Sequence, residues 1–158
     1  MKDDNKIYAV IDTNVLVSTL FSSNGNSNPG IIINQVLEGN ITPLFNAYIL
    51  QEYREVLSRP KFNFPESLIS AFYDAFIELG IDMETEQLDS SFFPDKEDVV
   101  FYEVKMAVED SYLVTGNIKT FSKGFLGSHA GTDGCYFERE RYLHRKKLND
   151  FSHHQTVY

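Results

Sequence analysis

The sequence predicts an α/β fold, an α/β/α sandwich in which helices cover both faces of a central parallel sheet. Two observations predict it: short runs of consecutive apolar residues such as IYAVI and YLVT, and segments with helical apolar spacing between them. A strand that is apolar at every position is typical of a parallel sheet buried on both faces. Helices between such strands supply the connections that the sheet needs. A length of 158 residues suits one domain.

The first half of the chain carries two predicted strands and two predicted helices before residue 46. Asp12-Thr13-Asn14 starts the first helix, because short polar side chains cap helix N-termini. Residues 22–30 are rich in Ser, Asn and Gly and end in Pro29-Gly30, which predicts a loop. The predicted elements are a strand over Ile7–Ile11, a helix over Val15–Leu20, a helix over Ile31–Leu37 and a strand over Ile41–Phe45.

The second half continues the alternation as far as about Phe121. Pro60 ends a helix over Ala47–Ser58, and Pro65 opens another. The apolar stripe predicted for that second helix contains Leu68, Phe72, Phe76 and Leu79. The later elements are a short strand over Met83–Leu88, a helix over Asp98–Val108 with Val100, Val104, Ala107 and Val108 on one face, and a strand over Tyr112–Thr115. After Gly124 the pattern is lost, and a short helix over Phe137–Leu148 is the element predicted there.

Composition argues against a disulfide-rich, secreted or membrane-spanning protein. The single cysteine, Cys135, excludes an intrachain disulfide framework, as suits a reducing cytosol. The acidic, polar N-terminus is not a signal peptide, and no apolar run is long enough for a bilayer. We therefore expect a soluble cytoplasmic protein with no membrane partner. The net charge of −9 argues against a general polyanion binder. It still allows a nuclease whose bound metal ions supply positive charge.

Acidic residues stand where the predicted topology ends strands or begins helices. Asp12 ends the first strand, and Thr115-Gly116-Asn117 ends another. In open α/β sheets, ligands bind at such carboxyl ends. Glu52 follows the second strand, and residues 95–98 (DKED) open the helix before YLVT. Converging carboxylates are the ligands that Mg²⁺ and Mn²⁺ prefer, and such a site can activate water and stabilise charge on a phosphate.

Each acidic residue also has a simpler interpretation. Asp12 would cap the next helix, Glu52 would lie on a solvated helix face, and residues 95–98 would suit a helix N-terminus. Taken singly, the simpler interpretation is favoured; taken together, at these places in the topology, the metal site gains support. The four histidines all lie in the tail, and His153-His154 is a weak zinc signal.

Four segments, in this order and spacing, resemble the PIN-domain family: AVIDTNVLVSTLFS, PLFNAYILQEYREVLSRPKF, PDKEDVVFYEVKMA and SYLVTGNIKTF. The run ILQEYREVLSRPKF resembles the branch described as toxins of toxin–antitoxin systems. The resemblance implies a PIN-like domain over residues 1–125 and an atypical tail over 126–158 that completes or flanks it. PIN domains are similar to flap nucleases. The resemblance therefore implies a ribonuclease that uses Mg²⁺ or Mn²⁺, with an RNA substrate, a small antitoxin protein and a homodimer as expected partners.

The resemblance also implies roles for individual residues. The first three acidic positions of the family fall on Asp12, Glu52 and Asp98, which would hold the metal and act in catalysis. The fourth, often Asp in a TGD pattern, is Asn117, which would complete the catalytic cluster with one negative charge fewer. Supporting roles fall on Asn14, Asp95 and Thr115. The basic residues expected at the rim of the cleft, where they would bind substrate, are Arg54, Arg59, Lys61 and Lys119.

Two other functions fit parts of the pattern. A PIN-shaped module that is inactive because of Asn117 or the altered tail would bind RNA or a protein without cutting. A phosphohydrolase with Asp12 as nucleophile would want a second acid two residues on, where this chain has Asn14. The first alternative is therefore the stronger of the two.

The tail suggests a frameshift in the gene. PIN domains of this branch usually continue into a Val-Thr-Pro-like turn and a final helix. One choice of synonymous codons for SHAGTDGCY (residues 128–136) reads, one base later, as Val-Thr-Pro-Ala-Gln-Met-Val-Ala. The hypothesis places the shift near residues 125–128, and an ordinary divergent tail is the alternative. A gene sequence without this second reading frame would exclude the frameshift.

Overall fold

The described residues contain five strands, which form one sheet. The structure, a computed structural model, describes residues 6–22, 28–92, 96–116 and 136–138. The strands are β1 (Ile7–Ile11), β2 (Ile41–Phe45), β3 (Ile81–Asp82), β4 (Tyr112–Thr115) and β5 (Tyr136–Glu138). Their order across the sheet is β3-β2-β1-β4-β5. The first four are parallel, and β5 adds to β4 in the antiparallel direction.

In the part of the chain that the structure describes, five α-helices flank this sheet and cover both of its faces. They are α1 (Thr13–Phe21), α2 (Asn28–Leu37), α3 (Ala47–Leu57), α4 (Glu66–Leu79) and α5 (Val99–Met106). All five residues of β2 are buried, and so are the consecutive residues Ala9, Val10 and Ile11 of β1. Since neighbouring strand residues point to opposite faces, burial of every residue requires cover on both sides. The predicted α/β/α sandwich with a central parallel sheet is confirmed.

The limits of β1, β2 and β4 agree with the sequence prediction, whereas two other segments differ. Residues 22–30 are not all loop, because α2 begins at Asn28 and contains Pro29 in its first turn, where a missing N–H costs nothing. The strand predicted over Met83–Leu88 is wrong: the strand is Ile81–Asp82. β2 ends at Phe45, whose carbonyl oxygen accepts a last hydrogen bond from the Met83 N–H at 2.8 Å, so β3 has no partner beyond it.

The predicted apolar faces of α4 and α5 are partly wrong. On α4 the fully buried residues are Ile69 and Phe76, while Leu68 is 39% exposed. Helix α5 packs on β1, β2, β4 and α3, so it is buried on more than one side. Its buried residues are Val99, Phe101, Tyr102, Val104 and Lys105, whereas Ala107 is exposed beyond the helix end.

The tail prediction fails where it can be compared. The first two residues of the helix predicted over Phe137–Leu148 belong to β5, because this segment pairs with the edge of β4. Residues 139–148, and the segment 125–128 of the frameshift hypothesis, lie outside the described residues. Within the described part of the chain, no helix combines the length and apolar character needed to cross a bilayer.

Candidate active site

The candidate site begins where β1 and β4 end side by side. Strands β2 and β4 lie on opposite sides of β1, so the sheet reverses its winding direction between β1 and β4. This switch point is where open α/β sheets place their ligands. Asp12 follows β1 and caps α1, and Thr115 is the last residue of β4. The Thr115 Oγ1 hydroxyl donates to Asp12 Oδ2 at 2.5 Å, and the Asp12 N–H donates to the Val114 carbonyl at 2.8 Å.

Glu52 is brought to the same end of the sheet by α3. Asn46 caps this helix, with its Oδ1 accepting from the Ile49 N–H at 3.0 Å. The Thr13 Oγ1 hydroxyl then donates to Glu52 Oε1 at 2.7 Å. Because Thr13 adjoins Asp12 in the chain, this bond holds the two acidic side chains at one edge of the protein. Asp12 and Glu52, predicted as metal ligands, thus lie near each other despite 40 residues of separation.

Tyr53 fixes the position of α3 on β1. Its side chain is buried, and its hydroxyl donates a hydrogen bond to the carbonyl oxygen of Ile11. The ring packs edge-on against Phe76, with 5.8 Å between ring centroids. The residue before Tyr53 is Glu52 and the residue after Ile11 is Asp12. One buried hydrogen bond therefore ties together the two backbone segments that carry the acids.

The two carboxyl groups share an environment that disfavours negative charge. Burial raises the pKa of Asp12, against hydrogen bonds from Thr115 and Asn14 that lower it. Burial also raises the pKa of Glu52, and the negative charges of Asp12 and Glu97 raise it further. Burial and the negative charges of Asp12 and Glu52 hold the pKa of Tyr53 well above its ordinary value. A bound cation would relieve this repulsion, since an opposite charge favours the ionised carboxylates.

The donor set suits a hard divalent cation. Carboxylate and hydroxyl oxygens at the site match the ligands that Mg²⁺ and Mn²⁺ prefer, and no thiol or imidazole contributes among the described residues. Within residues 6–22, 28–92 and 96–116, however, no three Asp, Glu, His or Cys side chains form a group that could hold a metal. The described part of the chain supplies two acids for a metal site, and each of them accepts a hydrogen bond from a threonine hydroxyl.

The acidic segment before α5 lies towards Glu52. Asp98 is the N-cap residue of α5, and its carbonyl oxygen accepts from the Phe101 N–H at 3.2 Å. The neighbouring Glu97 is close enough for its charge to raise the pKa of Glu52. Asp95 and Asn117 lie outside the described residues. The convergence of Asp98 and Asn117 on the acidic pair therefore stays a prediction.

The basic residues predicted to bind substrate differ in where they lie relative to the acidic pair. The charge of Arg59 lowers the pKa of Glu52, so this guanidinium lies on the side of the acids. Arg54 is about 200° round α3 from Glu52. It pairs with Glu66 at 3.1 Å and lies over the Tyr73 ring, 5.6 Å from its centroid. Lys61 lies over Phe62 at 4.8 Å, and Lys119 lies outside the described residues.

Three contributors were not recognised in the sequence. The sequence predicts Thr13 as part of a helix start, although a hydroxyl beside a candidate metal ligand is a signal that could have identified it. The spacing of Ile49, Tyr53, Val56 and Leu57 predicts an apolar face of α3, and nothing in the sequence reveals that the Tyr53 hydroxyl reaches Ile11. Glu97 was part of the acidic run before α5, in which Asp98 was preferred because of the resemblance.

Comparison with known families agrees with this geometry. The family model described as "PIN domain" matches residues 8–119, well over half of the chain. Comparisons with curated proteins and with solved structures gave no match. The matched range includes Asp12, Glu52 and Asp98, together with the hydroxyl residues Thr13 and Thr115 that hold the acidic pair.

Proposed function

The chain belongs to the PIN-domain family, whose members are generally nucleases, and we propose that it is an endoribonuclease that hydrolyses RNA phosphodiester bonds with the help of Mg²⁺ or Mn²⁺. The observation that supports the proposal most strongly is the acidic pair Asp12 and Glu52, held by threonine hydroxyls at the switch point of the sheet.

Asp12 and Glu52 would hold the metal, with Asp98 and Asn117 completing the cluster and Asn14, Asp95 and Thr115 supporting it. When bound, the ion supplies a lowered pKa for water and positive charge for the phosphate. The protein's own part is to fix the ligands before the ion arrives. Thr115 orients Oδ2 of Asp12, and Thr13 orients Oε1 of Glu52, which leaves Oε2 of Glu52 for coordination. Oδ1 of Asp12 accepts the capping hydrogen bond from the Asn14 N–H at 3.3 Å, and its second lone pair would face the ion.

Substrate binding needs local positive charge because the whole chain is negative. We assign this role first to Arg59, whose charge already acts on Glu52, and then to Lys61 and Lys119. Arg54 contributes less in this proposal, because its exposed guanidinium is shared with Glu66. The phosphate next to the scissile bond would lie between Arg59 and the metal-bearing acids.

We further propose that the protein is the toxin of a toxin–antitoxin pair in the cytoplasm and that it forms a homodimer. The support is the resemblance of ILQEYREVLSRPKF to that branch of the family. A small antitoxin would restrain it by covering the acidic cleft, where basic side chains could pair with Asp12 and Glu52. A short reading frame that overlaps the neighbouring end of the gene would support this assignment, and an isolated gene would count against it.

Single-turnover cleavage tests the activity itself. A structured RNA is incubated with excess protein and Mn²⁺, and the ends produced are sequenced. We expect cuts at internal phosphodiester bonds that disappear with EDTA and with Asp12→Asn. Cuts that persist in the Asp12→Asn protein would come from a contaminant or from another site, and the proposed mechanism would be wrong.

A catalytically weak binding module is the second candidate. It is favoured by Asn117, a neutral residue at a position often acidic in the family, and by the lack of a three-acid group among the described residues. RNA binding without any cleavage in the same single-turnover assay would select this function. Cleavage at a rate that depends on the concentration of Mn²⁺ would exclude it.

A further inference from the structure

Three phenylalanine rings form an exposed cluster at one end of α1. The Phe21 ring centroid lies 5.4 Å from that of Phe62 and 5.0 Å from that of Phe64. Phe62 and Phe64 are stacked, with centroids 5.6 Å apart and an angle of 20° between their planes. Phe21 is 57% exposed, whereas Phe62 and Phe64, which contact it, are half-buried. We call these three residues the aromatic cluster.

The backbone between Pro60 and Phe64 sets the relative positions of Phe62 and Phe64. Phe62 ends a short 3₁₀ helix over Pro60–Phe62, and Asn63 follows with a left-handed φ of 51°. Asparagine adopts this conformation more readily than most residues other than glycine, so the turn between Phe62 and Phe64 is accommodated by its sequence. The two rings on either side of Asn63 then stack on each other. The cluster is thus built by a defined turn rather than by loose side chains.

The aromatic cluster lies at the far end of α1 from the acidic pair. At one end Thr13, the first residue of α1, bonds to Glu52 of α3. At the other end Phe21, the last residue of α1, meets Phe62 and Phe64 beyond the end of α3. The nine steps from Asp12 to Phe21 span about 13 Å along a helix. Asn14, Ser18 and Phe21 are exposed on α1 at spacings of four and three residues, so one exposed face of this helix leads from the acids to the rings.

Positive charge lies along this surface. Arg59 is near enough to act on Glu52, and Lys61 Nζ lies 4.8 Å from the Phe62 ring centroid. Both follow α3 directly, in a chain whose net charge is −9. Cations set among exposed rings are the combination by which proteins bind single-stranded nucleic acid, since the cations contact phosphates and the rings stack on bases. The cations favour a nucleic acid over an apolar protein surface as the partner, because an apolar surface offers no negative charge to pair with them.

We propose that Phe21, supported by Phe62 and Phe64, is a stacking site for a base of single-stranded RNA whose phosphates contact Lys61 and Arg59 on the way to the acidic pair. This inference rests on the proposed ribonuclease function and adds a base-stacking subsite for an unpaired nucleotide beside the cut. The stacked nucleotide is a flanking one, because the rings lie about 13 Å from Asp12 along α1. A duplex, whose bases are already stacked and paired, would not use the site.

Binding of labelled oligonucleotides tests the proposal without any cleavage. The probe is a 12-nucleotide oligouridine with a 3′ fluorophore, and EDTA keeps the protein from cutting it. We expect Phe21→Leu to weaken binding about 5- to 100-fold, the range for loss of one base–aromatic stack. Leu37→Ala is the matched control, because Leu37 is 53% exposed and lies at the end of another helix. A probe with one 2-aminopurine should lose its stacking-dependent quenching in the Phe21→Leu protein.

The outcomes separate this proposal from the function on which it rests. Equal oligouridine affinities for the parent and Phe21→Leu would overturn the stacking site even if metal-dependent cleavage is intact. Equal weakening of a 12-base-pair duplex would overturn the preference for single strands. A fall in molar mass of Phe21→Leu by size-exclusion chromatography with light scattering, with unchanged RNA binding, would assign the cluster to a protein contact instead. Failure of the nuclease proposal would show as intact binding with no cleavage in Mn²⁺.

Discussion

The hydroxyl of Tyr53 donates a hydrogen bond to the carbonyl oxygen of Ile11, the last residue of β1. Since Asp12 and Glu52 are the chain neighbours of this pair, the bond sets the distance between the two candidate metal ligands. Tyr53 touches neither metal nor substrate in our proposal, so it acts as a positioning residue.

Tyr53→Phe should lower the free energy of unfolding by about 1 kcal/mol, the net worth of a typical hydrogen bond. Metal-dependent cleavage should fall as well, with a higher Mn²⁺ concentration needed for half-maximal rate. Urea unfolding and a Mn²⁺ titration measure the two effects. Tyr48→Phe is the control, because Tyr48 lies on the same helix and is 66% exposed. If the Mn²⁺ concentration for half-maximal rate is the same in Tyr53→Phe and in the parent, Tyr53 is not a positioning residue.

Asp12→Asn should abolish cleavage and stabilise the metal-free protein at neutral pH. Burial raises the pKa of Asp12 in the folded state, so the ionised carboxylate opposes folding. That cost is absent below the unfolded pKa, where the carboxyl is protonated in both states, grows as pH rises from the unfolded to the folded pKa, and is complete above the folded pKa. The melting temperature of the variant should exceed that of the parent at pH 7 in EDTA, and the difference should shrink towards about pH 3.

The activity of Asp12→Asn should be at least about 100-fold lower, since even residues behind metal ligands are worth 10- to 100-fold. Thermal melts across pH and single-turnover rates supply the two measurements. A variant that is less stable than the parent at every pH would show that the Asp12 carboxylate is stabilising and would contradict the electrostatic argument.

Thr13→Val should reduce cleavage about 10- to 100-fold by releasing Glu52 from its only hydrogen bond that the structure describes. The side chain keeps its size, so stability should change little. Thr13→Ser should restore the rate, because serine retains the hydroxyl that donates to Glu52 Oε1. The measurement is the single-turnover rate as a function of Mn²⁺ concentration. If serine and valine behaved alike, the hydroxyl would have no part in the site.

Arg59→Gln should weaken RNA binding and flatten its dependence on salt. Each lost contact with a single-strand phosphate lowers the slope of log K against log salt by about 0.7. Arg54→Gln is the matched control, since Arg54 carries the same charge but pairs with Glu66. Anisotropy titrations at several salt concentrations give the slopes. The same slope for Arg59→Gln and the parent would remove Arg59 from the substrate path.

Gly80→Ala should destabilise the fold by about 1–3 kcal/mol through overpacking between α4 and β3. A Cβ at Gly80 would lie 2.6 Å from the Pro43 carbonyl oxygen and 2.8 Å from that of Phe76, both of which are backbone atoms. The contrasting variant is Gly39→Asn, which should change stability little. Gly39 has a φ of 79° with nothing within 4 Å, and asparagine tolerates such a φ. Urea unfolding of both variants checks the difference.

The parts of the fold that the sequence reveals are those with one dominant physical signal. Ile7–Ile11 and Tyr112–Thr115 are buried apart from the half-buried Ile7, Tyr8 and Tyr112, and their apolar runs mark both ends of each strand. β3 has two exposed residues, and only its pairing with β2 makes it a strand. No pattern in the local sequence predicts a strand of this kind. Helix α5 shows the same limit, because the sheet and α3 enclose it and no polar face marks its orientation.

In the candidate site, too, some residues have a local sequence signal and others are placed only by the packing of the fold. Asp12 is visible in the sequence because it closes an apolar strand, and Thr115 because it closes another. The contact between Thr13 and Glu52 joins residues 39 positions apart, and the contact between Tyr53 and Ile11 joins residues 42 apart. Such distances are set by how α3 packs on the sheet. Sequence reasoning could therefore name the acids but not the hydroxyl groups that place them.

β5 has a consequence for any attempt to shorten the protein. Residues 136–138 cover the outer side of β4, where Leu113 to Thr115 exchange backbone hydrogen bonds with them. A fragment that stops at residue 125 would leave the outer edge of β4 without this partner strand. Unpaired strand edges of this kind recruit strands from other molecules, and they lead to aggregates or swapped assemblies. β5, in a tail that contributes little to the sequence resemblance, would then protect β4 against such edge-to-edge pairing.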